Sequence, residues 1–236
     1  MEFFAVKKGS EPAGRSLWNW TLGALVLLLA WEASGLDVPL ARLAAGGGHG
    51  FTGRDSWFAG VLLHDGMRHL AFAAGAWLFA GVWWPVGVLR RLSRPARIQW
   101  LASLLLGVAL VNLLKYASRT SCPWDLAEFG GAVAYVNHWA WGQADGGPGH
   151  CFPAGHASAA FAFIGGFFVL RPVSPSLAVR CLAVVLAAGL ALGLAQQFRG
   201  AHFMSHTLWT GWLCWAAAWG LDGAVRMAEK QRTCLS

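Results

Sequence analysis

The sequence predicts an all-α polytopic membrane protein: a bundle of six transmembrane helices with two longer loops on its outer face. Of its 236 residues, 56% are hydrophobic and only 12% are charged, whereas soluble domains carry about 25% charged residues. The chain also contains 15 tryptophans, and indole rings favour the membrane interface because one edge is polar and the body is apolar. This composition excludes intrinsic disorder, collagen-like repeats and a disulfide-dense miniprotein.

Six apolar stretches define the predicted spans. A bilayer core about 30 Å thick needs roughly 20 apolar residues per helix, and clusters of Arg, Pro and Gly separate the stretches. The predicted spans are 17–35, 69–89, 98–115, 153–170, 179–198 and 203–221. The sequence contains no internal repeat, so the whole chain, 1–236, is expected to form one membrane-embedded domain. The first span is expected to stay as an anchor because no small-residue cleavage site follows it.

The basic residues are divided unequally between the two sides of the predicted bundle. Twelve of the 18 Lys and Arg residues fall at the termini and in the loops after the second and fourth spans, and six fall on the other side. The positive-inside rule therefore predicts cytoplasmic termini and puts the long loops, 36–68 and 116–152, outside. A short amphipathic helix is expected on the outer leaflet at 57–63. The net charge of +7 does not predict nucleic-acid binding, because the cations lie at span ends rather than on one face.

Ionisable residues converge on the outer ends of four predicted spans. Lys115 ends the third span, His156 opens the fourth, Arg199 follows the fifth, and His202 and His206 open the sixth. Because successive spans alternate direction, these ends lie at the same membrane face. Ionisable side chains at membrane depth are costly and usually functional, so the sequence predicts a site at this face.

The chemistry of this cluster favours an anion, and a phosphate in particular. Lys115 and Arg119 are four residues apart and project from one helix face, and His202 and His206 repeat that spacing. Helix N-termini add partial positive charge. A single cation could instead snorkel to a lipid headgroup, but four span ends meeting within 115–206 favour a site. The other histidines are not part of this cluster of ionisable residues and are interpreted as loop or interface residues: His49, His64, His69, His138 and His150.

Three ordered elements carry a resemblance to a known family. Lys115 is followed after seven residues by Cys-Pro at 122–123, residues 153–156 read Pro-Ala-Gly-His, and residues 200–206 run from Gly-Ala-His to a second His. These elements resemble the motifs of the type 2 phosphatidic acid phosphatases, a superfamily that includes glucose-6-phosphatase and the vanadium haloperoxidases. The family pattern is Lys with Arg-Pro seven residues on, then Pro-Ser-Gly-His, then Ser-Arg with His six residues after the Arg and Asp four later. The resemblance covers the predicted spans three to six.

Four positions depart from the family pattern. Arg, Ser, Arg and Asp of the family are replaced, in that order, by Cys122, Ala154, Gln196 and His206. Arg119 lies three residues before the first vacant arginine position and Arg199 lies three residues after the second. Each offset is close to one helical turn. We therefore hypothesise that Arg119 and Arg199 replace the missing pair.

The resemblance implies roles for the clustered residues. His202 would be the nucleophile that forms a phosphohistidine, and His156 would be the general acid that protonates the leaving oxygen. The equatorial phosphate oxygens would be held by Lys115, Arg119, Arg199 and the backbone amide of Gly155. The scheme needs no metal and no cofactor.

The orienting partner of the nucleophile stays open at this stage. The family gives that role to the Asp that His206 replaces, and a neutral His206 can still accept a hydrogen bond. Asp125 or Glu128 in the second outer loop could serve instead.

The substrate implied by the resemblance is a lipid phosphate or diphosphate that enters from the outer leaflet. Candidates are undecaprenyl diphosphate, phosphatidylglycerophosphate, phosphatidic acid and lipid A, and the setting is a bacterial inner membrane with the site facing the periplasm. Three alternatives remain: a lipid phosphotransferase with the same intermediate, a non-catalytic headgroup-binding or transport protein, and a metalloenzyme that uses His202, His206 and a third histidine. The sequence does not define the oligomeric state.

Two cysteines of the second outer loop lie close to the first two elements. If that side is oxidising, Cys122 and Cys151 can form a disulfide that ties the two elements together. The alternative is two free thiols. Cys181, Cys214 and Cys234 are interpreted as packing residues.

Overall fold

The computed structural model describes residues 13–46, 50–54, 56–57, 65–140 and 142–235, and the chain there is all-α, as predicted. The helices are α1 (Ala13–Ser34), α2 (Asp37–Ala44), α3 (Met67–Ala80), α4 (Arg94–Ala117), α5 (Gly155–Phe161), α6 (Gly165–Leu170), α7 (Pro175–Phe198) and α8 (Met204–Leu235). Short 3-10 turns lie at Gly87–Arg91, Pro123–Asp125, Ala127–Phe129 and Ala162–Ile164. The predicted amphipathic helix at 57–63 falls almost wholly outside the described residues, as do His49 and His64.

Two helices within the described ranges, α4 and α7, are long and apolar enough to cross a membrane. A third candidate span arises if residues Ser16–Ser34 of α1 and the whole of α2, which meet at an angle of 73°, count as one broken span. The membrane association predicted from composition is thus supported, whereas the count of six spans stays a prediction.

The remaining predicted spans differ from the observed helices for local reasons. The second stretch, 69–89, holds α3 only as far as Ala80, because a turn follows at 81–83 and Pro85 after it cannot continue a helix. A 3-10 turn at Ala162–Ile164 divides the fourth stretch into α5 and α6. The last helix continues far beyond residue 221, because the polar tail is rich in helix-forming Ala, Glu, Lys and Arg.

Capping and cross-links define the end of the bundle where α4 starts. Ser93 caps α4 by accepting a hydrogen bond from the Ala96 amide, with proline in the first turn. The buried Arg97 donates to the carbonyl of Gly81 after α3, at 3.0 Å. At the same end, Asp222 of α8 accepts from Gln99 at 3.0 Å. These contacts fix α4 against α3 and α8, so that its other end is held at a defined position.

The core lies among α4, α5, α6, α7 and α8. It includes the buried side chains Leu104, Val111, Phe161, Ile164, Phe168, Val185 and Cys214. Gly189 of α7 lets the Phe161 ring pack directly on the helix backbone, because a Cβ at this position would overlap the ring. This close approach brings the end of α5 next to α7, and Gly211 of α8 lies against the same ring.

Large apolar side chains on the outer surfaces of the helices face away from the core. Leu113 on α4 is 68% exposed and Val184 on α7 is 68% exposed. Trp20 and Trp84 are 73% and 75% exposed. Contiguous exposed apolar surface of this kind is typical of lipid-facing helices.

The second outer loop folds over the start of α8 and against α2. Phe51, Leu126, Phe129 and Phe203 form a small buried cluster there. The amide of Trp124 also donates to the carbonyl of Gly200, at 2.9 Å. The turn between α7 and α8 is therefore covered by this loop and does not lie at an open surface.

Candidate active site

Four helix ends meet at one end of the bundle: the ends of α4 and α7 and the starts of α5 and α8. Lys115 in the last turn of α4 lies beside the first residue of α5, because a Cβ built on Gly155 would be 3.9 Å from the Lys115 Nζ. The rings of His156 and His202 have centroids 6.3 Å apart. The sequence-predicted Lys115, Gly155, His156 and His202 therefore lie together.

His202 lies in the turn between α7 and α8 and is only 3% exposed. Gly200, with φ of 76°, makes this turn, and the amide of Ala201 donates to the carbonyl of Gln196 at 2.8 Å. The Nδ1 atom of His202 lies 3.6 Å from the Sγ of Cys151 and 3.5 Å from the Nδ1 of His206. Both contacts involve Nδ1, so Nε2 is the ring nitrogen left for chemistry.

The surroundings of His202 favour its neutral form. Burial lowers the pKa of His202 well below its usual value of 6.5, and the nearby charges of Lys115 and His156 lower it further. A neutral imidazole retains the lone pair that a nucleophile needs. The ring is therefore prepared for attack at neutral pH.

His206, one turn further along α8, is 2% exposed and enclosed by aromatic rings. The ring centroids of Phe152, Phe203 and His138 lie 5.3, 5.5 and 5.0 Å from that of His206. Its carbonyl accepts a hydrogen bond from the amide of Ala154 at 3.2 Å. Ala154, at the family's serine position, thus joins the segment before α5 to α8 through its backbone.

Cys122 and Cys151 are joined by a disulfide with their Cα atoms 5.1 Å apart. The bond links the loop after α4 to the segment before α5 and brings its Cys151 sulfur against the His202 ring. Among the described residues, Cys122, Cys151 and His202 form the group close enough to hold a metal ion. Disulfide sulfurs offer no thiolate, so this group does not support the metalloenzyme alternative.

The two arginines proposed to replace the family pair flank the site. Arg119 is exposed and borders a small cavity of about 60 Å³ together with His138 and Phe152. Arg199 caps the end of α7 and is half-buried, and its Nε atom has no hydrogen-bond partner within the protein. Their proposed role as phosphate ligands stays a prediction.

Unpaired polar atoms are concentrated around the turn that carries His202. Gln196 is 1% exposed, and neither its amide nitrogen nor its amide oxygen has a partner within the protein. The Nε2 of Gln197 and the Oγ1 of Thr207 are also buried without a hydrogen-bond partner within the protein. A buried unpaired polar atom costs about 1–3 kcal/mol, so this cluster is typical of a site that binds a polar ligand.

The acidic residues of the second outer loop contact other partners than His202. The carboxylate of Asp125 accepts from the Trp124 indole at 3.0 Å, and Glu128 pairs with Arg42 of α2. These partners argue against the suggestion that Asp125 or Glu128 orients the nucleophile. His206 is the candidate whose nitrogen is next to that of His202.

Sequence reasoning missed His138 and Glu32. His138 does lie in a loop, but its side chain is 3% exposed, and its Nε2 lies 3.1 Å from the Oε1 of Glu32 near the end of α1. No sequence pattern links the two residues, because they are 106 positions apart. The available signal was Glu32 itself, a carboxylate at the end of an apolar stretch, where ionisable groups are usually functional.

A comparison with protein-family models identifies the family. The model of the PAP2 superfamily matches residues 97–230, more than half of the chain. The matched range contains Lys115, His156, His202 and His206 and leaves α1, α2 and α3 outside. The chain matches no curated protein and no solved structure.

Proposed function

Because the chain belongs to the PAP2 superfamily, whose membership implies phosphatase-type chemistry on phosphate monoesters, we propose that it hydrolyses a lipid phosphate or diphosphate. The reaction proceeds without a metal, through a phosphohistidine intermediate, at the outer face of a membrane. One observation carries this proposal: a buried His202 whose Nδ1 contacts Cys151 and His206, with the His156 ring and the Lys115 charge nearby.

In the first step of the proposed reaction, the His202 Nε2 attacks phosphorus and the bond from phosphorus to the leaving oxygen breaks. His156 gives a proton to that oxygen as it leaves. In the second step, His156 takes a proton from water, whose oxygen attacks phosphorus; the bond from phosphorus to the His202 Nε2 breaks, and inorganic phosphate leaves. His156 thus accounts for both proton transfers.

Charge stabilisation in the proposed site comes from fixed cations and amides. The Lys115 Nζ lies beside Gly155 at the start of α5, so one phosphate oxygen can contact the ammonium and the backbone amide together. Arg119 and Arg199 hold the remaining oxygens in this proposal. Such preorganised donors supply most of the rate enhancement in phosphoryl transfer.

The lipid character of the proposed substrate is supported by the apolar surface of the bundle. An apolar cavity of about 970 Å³ lies between α1 and α5 to α8. It is lined by Leu28 and Trp31, within one turn of Glu32, and by Leu208, two residues after His206. A hydrocarbon chain in this cavity would hold its phosphate close to the histidines. The six-span topology, cytoplasmic termini and a periplasmic site in a bacterial inner membrane belong to the same proposal.

Phosphate release from purified protein tests this function. Wild type, His202→Ala and His69→Ala are assayed in detergent with EDTA on phosphatidic acid, phosphatidylglycerophosphate, undecaprenyl diphosphate and lipid A. His69 is an exposed histidine on α3 and serves as the matched control. We expect release by wild type and His69→Ala and none by His202→Ala. Release that survives in His202→Ala would refute the phosphohistidine mechanism, and headgroup binding without release would indicate recognition or transport.

A further inference from the structure

Two acidic side chains, the half-buried Glu32 and the buried Asp37, reach the start of α8 from outside the region that matches the family. Glu32 lies near the end of α1 and Asp37 begins α2. Asp37 accepts hydrogen bonds from the amide and the hydroxyl of Ser205, and Glu32 accepts one from the indole of Trp209 at 2.7 Å. The histidine-bearing turns of α8 therefore rest on carboxylates of the N-terminal segment.

Glu32 differs from Asp37 because it also contacts a histidine. Its Oε1 lies 3.1 Å from the Nε2 of His138, and the two side chains are 13% and 3% exposed. A carboxylate this far from water is stable only when hydrogen bonds or a positive charge compensate it. Trp209 and His138 supply that compensation and leave the carboxylate fixed in one position.

His138 connects Glu32 to the site through ring contacts. Its ring stacks on Phe152 with centroids 4.2 Å apart and an interplanar angle of 15°. The same ring stands edge-on to His206, at 5.0 Å and 88°. Because the Nε2 proton of His138 points to Glu32, the tautomer and the orientation of the ring are both set. His206 then packs against a ring that cannot turn.

We infer that Glu32 and His138 form a positioning pair that acts through His206 on His202. The pair supplies the negative charge that the family places at the position of His206 and that this chain lacks there. This inference rests on the proposed function for its catalytic consequence, and on the contacts Glu32 to His138, His138 to His206 and His206 to His202 for its geometry.

The proton positions follow from the nucleophilic role of His202. With the Nε2 lone pair used for attack, the proton of neutral His202 is on Nδ1 and is donated to the Nδ1 of His206, 3.5 Å away. His206 then carries its proton on Nε2. When the Nε2 of His202 bonds to phosphorus, its ring becomes positive, and the Glu32 carboxylate offsets that charge across the two intervening rings. In the proposed function, Lys115 and His156 act on the phosphoryl group instead.

Kinetics of four variants test the catalytic part. Glu32→Gln keeps the shape and removes the charge, Glu32→Asp keeps the charge, and His138→Gln breaks the link. The control is Asp222→Asn, which removes a buried carboxylate of α8 that is bonded to Gln99 and Arg226 at the opposite end of the bundle. We expect Glu32→Gln and His138→Gln to lower kcat by about 10- to 100-fold with KM changed less than about twofold. Glu32→Asp is expected to recover most of kcat, and Asp222→Asn to keep it.

Histidine ¹⁵N NMR tests the geometry without any substrate. In ¹⁵N-histidine-labelled protein in micelles, Glu32→Gln is expected to shift the ring resonances of His138 and His206 and to leave those of His69 and His150 unchanged. Unshifted resonances would overturn the inference, as would a kcat within twofold of wild type in an active enzyme. If the wild type releases no phosphate, the proposed function fails by itself, and the NMR result still decides whether Glu32 governs the state of His206.

Discussion

Removing the disulfide next to the nucleophile is expected to lower stability and activity together. Cys122 and Cys151 are 29 residues apart in sequence, and closing a loop of about 30 residues stabilises a fold by about 3.6 kcal/mol through the entropy of the unfolded chain. For a protein of this size, each kcal/mol changes the melting temperature by about 2–4 °C. Replacing both cysteines by serine is therefore expected to lower the melting temperature by about 7–14 °C.

The assay is thermal unfolding in detergent, together with phosphate release at a temperature where both proteins are folded. The control is Cys234→Ser, because Cys234 is an exposed free thiol in the C-terminal helix. We expect the double variant to lose activity while still folded, because the Cys151 sulfur packs against the His202 Nδ1. A melting temperature within about 2 °C of wild type would refute the loop-closure argument, and full activity would refute the positional one.

Three further predictions concern the site and its support. Because the pKa of His202 is lowered and its neutral form attacks, kcat/KM is expected to fall on the acid side only below about pH 6.5. The folded protein holds this ring neutral, so its stability should also fall as the pH drops below that value. A decrease in kcat/KM that begins above this pH on the acid side would contradict the prediction. Arg119→Ala and Arg199→Ala are each expected to lower kcat/KM at least about tenfold, measured by phosphate release, and unchanged kinetics would exclude them as phosphate ligands. Gly189→Ala is expected to cost about 1–3 kcal/mol, because its methyl group would overlap the Phe161 ring; unaltered thermal unfolding would contradict this packing.

Sequence reasoning was most successful for the site residues that lie at helix ends. Apolar stretches and the alternation of span direction were enough to bring Lys115, His156 and His202 to one face, because that argument needs only the order of the helices. The same reasoning put the helix break of the second stretch in the wrong place, since hydropathy does not register the turn before Pro85.

The carboxylate support of the site lay beyond sequence reasoning. Glu32 and His138 are 106 residues apart, and their contact depends on how α1 packs against α8 and how the outer loop folds back. No local spacing encodes such a contact. For the same reason, Asp125 and Glu128 stayed open as partners of His202 beside His206, because the sequence does not show which carboxylates a loop brings against the ring.

The bend between α1 and α2 also bears on how the protein is made. Glu32 and Asp37 emerge from the ribosome early, but their partners Trp209 and Ser205 follow 177 and 168 residues later. At a synthesis rate of about 5–20 residues per second, that interval is about 8–35 s. During this time both carboxylates lack these partners of α8, whereas Trp31, whose indole also donates to Asp37, has already been made. The site can therefore form only after α8 has been synthesised, which makes completion of that helix a precondition for activity.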